Sequence, residues 1–188
     1  MSKTQYYCAS SLDGYIAEAD DTLDWLTGYQ GSAELDGAEP GGRGSYDRFY
    51  EGVGAMISGS ITYEWVLDHV DEWPYSGKPV WVLSSRELRL PEGDGVDVRV
   101  VNASVPEIYD EMVEAAGDGN LWVIGGGNIA SQFADEGLLD ELIVTVVPVV
   151  LGSGKPLFDR RVPGAPLTLT GTTPFDSGMV ELRYEVNR

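Results

Sequence analysis

The order in which strand-like and helix-like stretches follow one another restricts this chain more than any other property. Up to about residue 137 the two kinds alternate, and beyond it one strand-like stretch follows another. A strand that rejoins its sheet after a helix runs parallel to its predecessor, whereas strands joined without a helix pair antiparallel. The order therefore predicts an α/β fold with a mostly parallel central sheet finished by antiparallel C-terminal strands. In such sheets, ligands bind at the carboxyl ends of the strands.

The predicted strands are Thr4 to Ala9, Val53 to Ser58, Val80 to Ser84, Val96 to Val101, Leu121 to Ile124, Ile143 to Leu151 and Val180 to Val186. The last alternates apolar with polar residues. Tyr46 to Glu51, Thr62 to His69 and Ile129 to Glu136 read as helices. Another helix starts at the capping-box pattern Ser104, Pro106, Glu107, carries Ile108, Met112 and Ala116 on one face, and ends at Gly117. The glycine-rich stretch Gly31 to Gly44 reads as a loop, open to two uses: a lid over a site, or a segment without fixed structure.

A chain of 188 residues, 43% hydrophobic, can bury a core of its own, and its length suits one domain over 1–188. Its 31 acidic and 12 basic residues give a net charge of -19, which opposes binding to nucleic acid or to an anionic membrane surface. The same charge suits a protein kept soluble at high salt and, equally, an unusually acidic protein from ordinary conditions. The one cysteine, Cys8, sits in an apolar strand and cannot form an internal disulfide. With His69 as the one histidine, a Cys/His zinc cluster is excluded and no metal site is expected. The longest apolar run, Ile143 to Leu151, is too short to span a bilayer and contains Pro148. With no signal-peptide pattern at the start, a cytoplasmic protein is expected.

Four strand ends carry groups suited to phosphates and carboxamides: Ser10 to Asp13, Gly59 to Thr62, Ser84 to Arg86 and Gly125 to Asn128. The last belongs to "LWVIGGGNIASQF" (Leu121 to Phe133), where three glycines stand between strand and helix. They read either as a plain tight turn or as a backbone that comes close to a bound anion at a helix start. Arg86 matters because so acidic a protein needs local positive charge to hold a polyanionic cofactor.

With "SLDGYIA" (Ser11 to Ala17), "SGSITYE" (Ser58 to Glu64), "VLSSR" (Val82 to Arg86), "VIGGGNIASQF" (Val123 to Phe133) and "LLDELIVTVVPVVLGSGKPLF" (Leu138 to Phe158) in this order, the chain resembles the dihydrofolate reductase-like superfamily. It is most similar there to the reductase domain of riboflavin biosynthesis. The resemblance implies a three-layer fold, NADPH as cofactor, hydride transfer to a small, pterin- or pyrimidine-like heterocycle, and a homodimer. It also implies roles for cofactor-binding residues. Ala9 and Ile16 would grip the nicotinamide carboxamide through their backbone. Gly125, Gly126, Gly127, Asn128 and Ile129 would lie against the phosphates, often with a cis Gly-Gly peptide. Gly59 and Thr62 would form a second phosphate turn, and Ser84, Ser85 and Arg86 would surround the adenosine ribose. Where the family often has Arg, this chain has Ser60, so a 2′-phosphate would fall to Arg86 with Arg89 beside it.

The substrate side offers alternatives. The helix carboxylate of dihydrofolate reductases could correspond to Asp47 or to Asp24 beside Trp25. Asp13, in "SLDG", is either a catalytic acid near the nicotinamide or a turn-forming residue before Gly14. Trp25 and Tyr46 could line an aromatic slot or anchor loops, and Thr145 could orient substrate or simply fill a strand. Arg43, Arg48 and Lys155 are the cations available for a ribose phosphate on the substrate. A second reading keeps the fold and the nucleotide grip without turnover.

Overall fold

The computed structural model describes residues 2–29, 45–164 and 166–187. The Gly31 to Gly44 stretch and Arg43 lie outside the described residues. Strands β1 (Thr4–Ser11), β3 (Val53–Gly59), β4 (Pro79–Leu83), β5 (Asp97–Val101), β6 (Asn120–Gly125), β7 (Glu141–Val147), β9 (Thr168–Pro174) and β10 (Val180–Glu185) form one sheet in the order β5-β4-β3-β6-β1-β7-β10-β9. Every pairing from β5 to β7 is parallel, and β7–β10 and β10–β9 are antiparallel. The expected mostly parallel sheet with antiparallel C-terminal strands is the one observed. A separate two-stranded ribbon pairs β2 (Tyr15–Ala17) with β8 (Lys155–Pro156).

Helices supply the crossovers: α3 (Ser60–His69) between β3 and β4, α4 (Val105–Ala116) between β5 and β6, and α5 (Gly127–Asp135) between β6 and β7. Two shorter helices, α1 (Asp24–Thr27) and α2 (Ser45–Glu51), precede β3. Because successive strand residues point to opposite faces, each central strand feeds two cores. Tyr6, Ile57, Trp81, Leu121 and Val123 pack against Ile108 and Met112 of α4 and Phe133 of α5. Tyr7, Met56, Val80, Val82 and Trp122 pack against Phe49 of α2 and Tyr63 and Val66 of α3. The result is a sheet sandwiched between two helical layers.

Four details differ from the sequence expectation. Strand β7 stops at Val147, because Pro148 has no N–H for the ladder and the Val149 N–H turns back to Val147 O at 2.8 Å. Strand β9 reads TLTGTTP, largely exposed and polar, and so carries no buried-strand signal. Helix α3 begins at Ser60, before Thr62. Finally, the predicted strand Ile143 to Leu151 is interior only as far as Val147, where β7 lies between β1 and β10, whereas Val150 is 66% exposed. Among the described residues no helix is long and apolar enough to cross a membrane.

Candidate functional site

A cavity of about 650 Å³ opens at the carboxyl ends of β1, β3 and β6. Its wall includes Ala9 of β1, Gly59 of β3, Gly125 of β6, Ile16 of β2 and Thr145 of β7, with the starts of α3 and α5 facing it through Ser60, Thr62 and Gly127 to Ile129. The parallel topology explains the convergence, since each βα connection leaves its helix start beside the strand's carboxyl end.

The two helix starts share a feature that α4 lacks. Helix α4 is closed by its own side chains, with Ser104 and Glu107 forming a complete capping box. Helices α3 and α5 have glycine N-caps, Gly59 and Gly126, no side-chain cap and no acid in the first turn. Apart from the Ile129 N–H, which donates to Gly126 O at 3.0 Å, their first-turn N–H groups, with the positive end of each helix dipole, therefore remain available to an anion. The residues fit a phosphate-bearing cofactor on this ground.

The glycine turn divides into two kinds of position. Between Gly125 and Gly126 the peptide is cis. At Gly127 a Cβ would stand 2.4 Å from Pro156 O and 2.8 Å from Leu157 O, so that glycine is demanded by the packing of the β8 segment on α5. At Gly59 a Cβ would meet only the Ile129 side chain, at 3.5 Å, an ordinary contact.

Of the residues singled out in the sequence, Ala9, Ile16, Tyr46, Gly59, Thr62, Gly125, Gly126, Gly127, Asn128, Ile129 and Thr145 all border the cavity. Ser84, Ser85 and Arg86 lie just outside its wall. Arg86 reaches back to it, with Nη2 3.4 Å from Ser60 Oγ and 2.8 Å from Glu64 Oε2. Ser84 Oγ accepts the Arg86 N–H at 3.0 Å, fixing the turn, while Ser85 is exposed. Arg89 is paired with Asp68 at 2.8 Å.

Asp13, Asp47, Asp24 and Trp25 are not part of the wall. The Asp13 carboxylate accepts the Ser11 hydroxyl at 2.7 Å and the N–H groups of Leu151 and Gly152 at 3.1 and 2.7 Å. The Ser11 hydroxyl above all, then those two N–H groups, hold it below the usual carboxylate range against a desolvation that acts the other way. Asp47 and Asp24 are exposed. Trp25 is buried against Val147 and Met179. Lys155 borders the cavity, where its amine lies 3.3 Å from Asp21.

The structure adds residues with no sequence signal of their own. Tyr7 and Trp122 border the cavity beside Tyr46, with the Trp122 ring edge-on to Tyr46 at 5.9 Å. The Trp122 indole N–H donates to Tyr7 O at 3.1 Å. Asp159 also borders it, accepting from Asn128 Nδ2 at 2.6 Å. Burial raises the Asp159 carboxyl, but the nearby Ser131 hydroxyl, the Asn128 hydrogen bond and Arg160 outweigh that and hold it low. Cys8 lies in the wall, where burial pushes its thiol up to about 12. Glu181 of β10 is 2% exposed and stands directly across from Thr145 of β7.

A family model described as the RibD C-terminal domain matches residues 3–180. The uncharacterized protein YwjB of Bacillus subtilis is 34% identical over 182 residues, 97% of each chain. Among solved structures, a putative riboflavin biosynthesis protein from Shewanella sp. PV-4 superposes with a TM-score of 0.79 at 29% identity, covering 99% of both chains. Dihydrofolate reductase from Enterococcus faecalis, solved as a complex with NADP(H), superposes with a TM-score of 0.62 at 16% identity over 99% of this chain and 97% of its own. The fold is dihydrofolate reductase-like.

Proposed function

The chain belongs to the RibD C-terminal domain family, and from that membership we propose that it is an NADPH-dependent reductase of a small, pterin- or pyrimidine-like heterocycle, working as a cytoplasmic homodimer. The observation that carries the reading is the pair of uncapped helix starts, α3 and α5, facing one cavity of about 650 Å³. When bound, NADPH supplies the hydride from its nicotinamide.

The chain's own residues do the positioning. First-turn N–H groups of α3 and α5, with the Thr62 hydroxyl, receive the phosphates. Backbone groups of Ala9 and Ile16 hold the carboxamide. Arg86 meets the 2′-phosphate with charge-assisted hydrogen bonds, and Ser84 fixes the turn that presents it. The apolar walls from Ile16, Ile124 and Ile129 keep water from the transfer path. Tyr46 and Trp122 flank the remaining space, which suits a flat ring.

The test is a titration of the purified chain with NADPH and NADH, followed by addition of dihydrofolate and of oxidised pyrimidine and flavin-type compounds. Tight binding with consumption of the reduced nicotinamide supports the reductase. Tight binding without consumption by any of them supports the nucleotide-binding reading instead, and absence of binding overturns both.

A further inference from the structure

A phosphate on the substrate would need a cation of its own, since under the reductase reading the helix starts and Arg86 serve the phosphates of the cofactor. Of the three cations considered for that task, Arg43 lies outside the described residues and Arg48 is not part of the cavity wall. Lys155 is the one base among the described wall residues, and Asp21 and Asp159 are the acids. The Lys155 ammonium already lies 3.3 Å from the Asp21 carboxylate.

The backbone brings this pair together. Lys155 stands across from Ala17 in the β2–β8 ribbon, which sets it beside the turn that begins at Glu18. That turn is closed by the Glu18 N–H to Thr22 O at 3.0 Å and the Asp21 N–H to Glu18 O at 3.1 Å. Within it Asp21 takes φ +69°, and among the described residues it is the one non-glycine residue with a positive φ. Asp is one of the few side chains that adopt this conformation at small cost. Both partners are partly exposed, 43% for Lys155 and 36% for Asp21, so the pair adds little to stability, and its effect falls on what Lys155 can offer a ligand.

Other acids reinforce it. Asp20 is held below the usual carboxylate range by the Thr22 hydroxyl first, with the Lys155 charge as the last contributor. Past Asp21, Leu23, Ile61 and Trp65 the wall continues into a second groove bordered by Asp20, Asp24, Glu64 and Asp68. A phosphate dianion reaching for Lys155 therefore enters a negative field. Arg86 differs in kind: Glu64 meets two nitrogens of a guanidinium that has five donors, and Nη2 lies 3.4 Å from Ser60 Oγ at the open start of α3.

We propose that Asp21 is a specificity-determining residue: by engaging the Lys155 ammonium it denies a substrate phosphate its counter-charge, so the cavity selects heterocycles that carry no phosphate. The inference rests on the reductase reading, which makes this cavity a shared site for cofactor and substrate. It narrows the substrate class to free rings and nucleosides as against nucleotides.

The probes are uridine and uridine 5′-phosphate, the same pyrimidine nucleoside without and with the phosphate. Binding of each to the full chain saturated with NADPH is followed by ligand-observed NMR, and NADPH affinity is measured separately. The parent is expected to bind uridine at least as tightly as its phosphate. Asp21→Asn keeps the side-chain size and the left-handed backbone while removing the charge, and it should shift the preference toward the phosphate by about tenfold or more. Adding Lys155→Gln to Asp21→Asn should restore the parent's preference, which a merely structural role for Asp21 would not produce. NADPH affinity should stay within about threefold throughout. Four results overturn the proposal and leave the reductase reading intact: a parent that prefers the phosphate, an Asp21→Asn protein that binds it no better than the parent, a shift that survives Lys155→Gln, or a gain in NADPH affinity of about tenfold on Asp21→Asn. Failure of the unmodified chain to bind NADPH overturns the reductase reading instead, and this proposal with it.

Discussion

Arg86 Nη2 lies 2.8 Å from Glu64 Oε2, so the cation assigned to the cofactor's 2′-phosphate is already engaged by an acid from α3. Both partners are substantially exposed, and the pair itself contributes little to stability. Its effect falls on cofactor choice. Arg86→Ala should weaken NADPH by about tenfold and NADH much less, because only the phosphate gains charge-assisted bonds. Glu64→Gln should shift the ratio the other way, by several-fold toward NADPH. Parallel titrations with the two nucleotides check both, and equal losses in Arg86→Ala would remove Arg86 from the phosphate.

The open start of α3 gives a prediction in which stability and binding move in opposite directions. Ser60→Asp places a negative charge in the first turn, which should stabilise the helix by roughly 0.3–1 kcal/mol. The same charge occupies the phosphate position, and NADPH affinity should fall by about tenfold. Ser104→Ala on α4 is the control: it breaks the capping box and should cost about 1 kcal/mol without changing NADPH binding. Urea denaturation together with the same titration separates the two effects.

Two glycines that look alike in sequence should behave differently. Gly127→Ala forces a methyl into Pro156 O and Leu157 O, which belong to backbone, and should cost about 1–3 kcal/mol. Gly59→Ala meets only Ile129 at contact distance and should stay within about 0.5 kcal/mol of the parent, while hindering a phosphate's close approach. A Gly127→Ala protein as stable as the parent would show that the β8 segment does not press on α5.

Asp13 ties the end of β1 to the turn at Leu151 and Gly152. Its folded-state pKa lies below the ordinary value, so the stability it contributes is present above that ordinary value and is lost as pH falls through the folded one. Asp13→Asn should therefore lower the urea midpoint at neutral pH, and the gap to the parent should close below about pH 4. A gap that persists undiminished in acid would assign the difference to the amide's geometry rather than to charge.

The parallel half of the sheet was legible because its central strands are largely buried and are punctuated by helices, one with a clear start at Ser104. That the glycine turns border one cavity followed from position, since turns at strand ends stay where topology puts them. Glu181 was illegible for a physical reason: in Val180 to Glu185, polar alternation ordinarily marks a face open to water. Here Ser45 of α2 covers that face, so the acid is buried while the alternate Leu182 and Tyr184 are only partly so. Sequence spacing also gave no way to see that Asp13 is held by a turn from beyond β7, since the partners lie more than a hundred residues apart. Strands β2 and β8 were too short to show any period.

The strand order also sets an order of synthesis. The strands of the parallel block, and both open helix starts, lie within residues 4–147, whereas β10 follows them in the chain. A growing chain can thus assemble the turns that border the cavity while the free edge of β7 still waits for β10. Glu181 arrives with that closing strand, so the strand wall it shares with Thr145 is completed only after those turns.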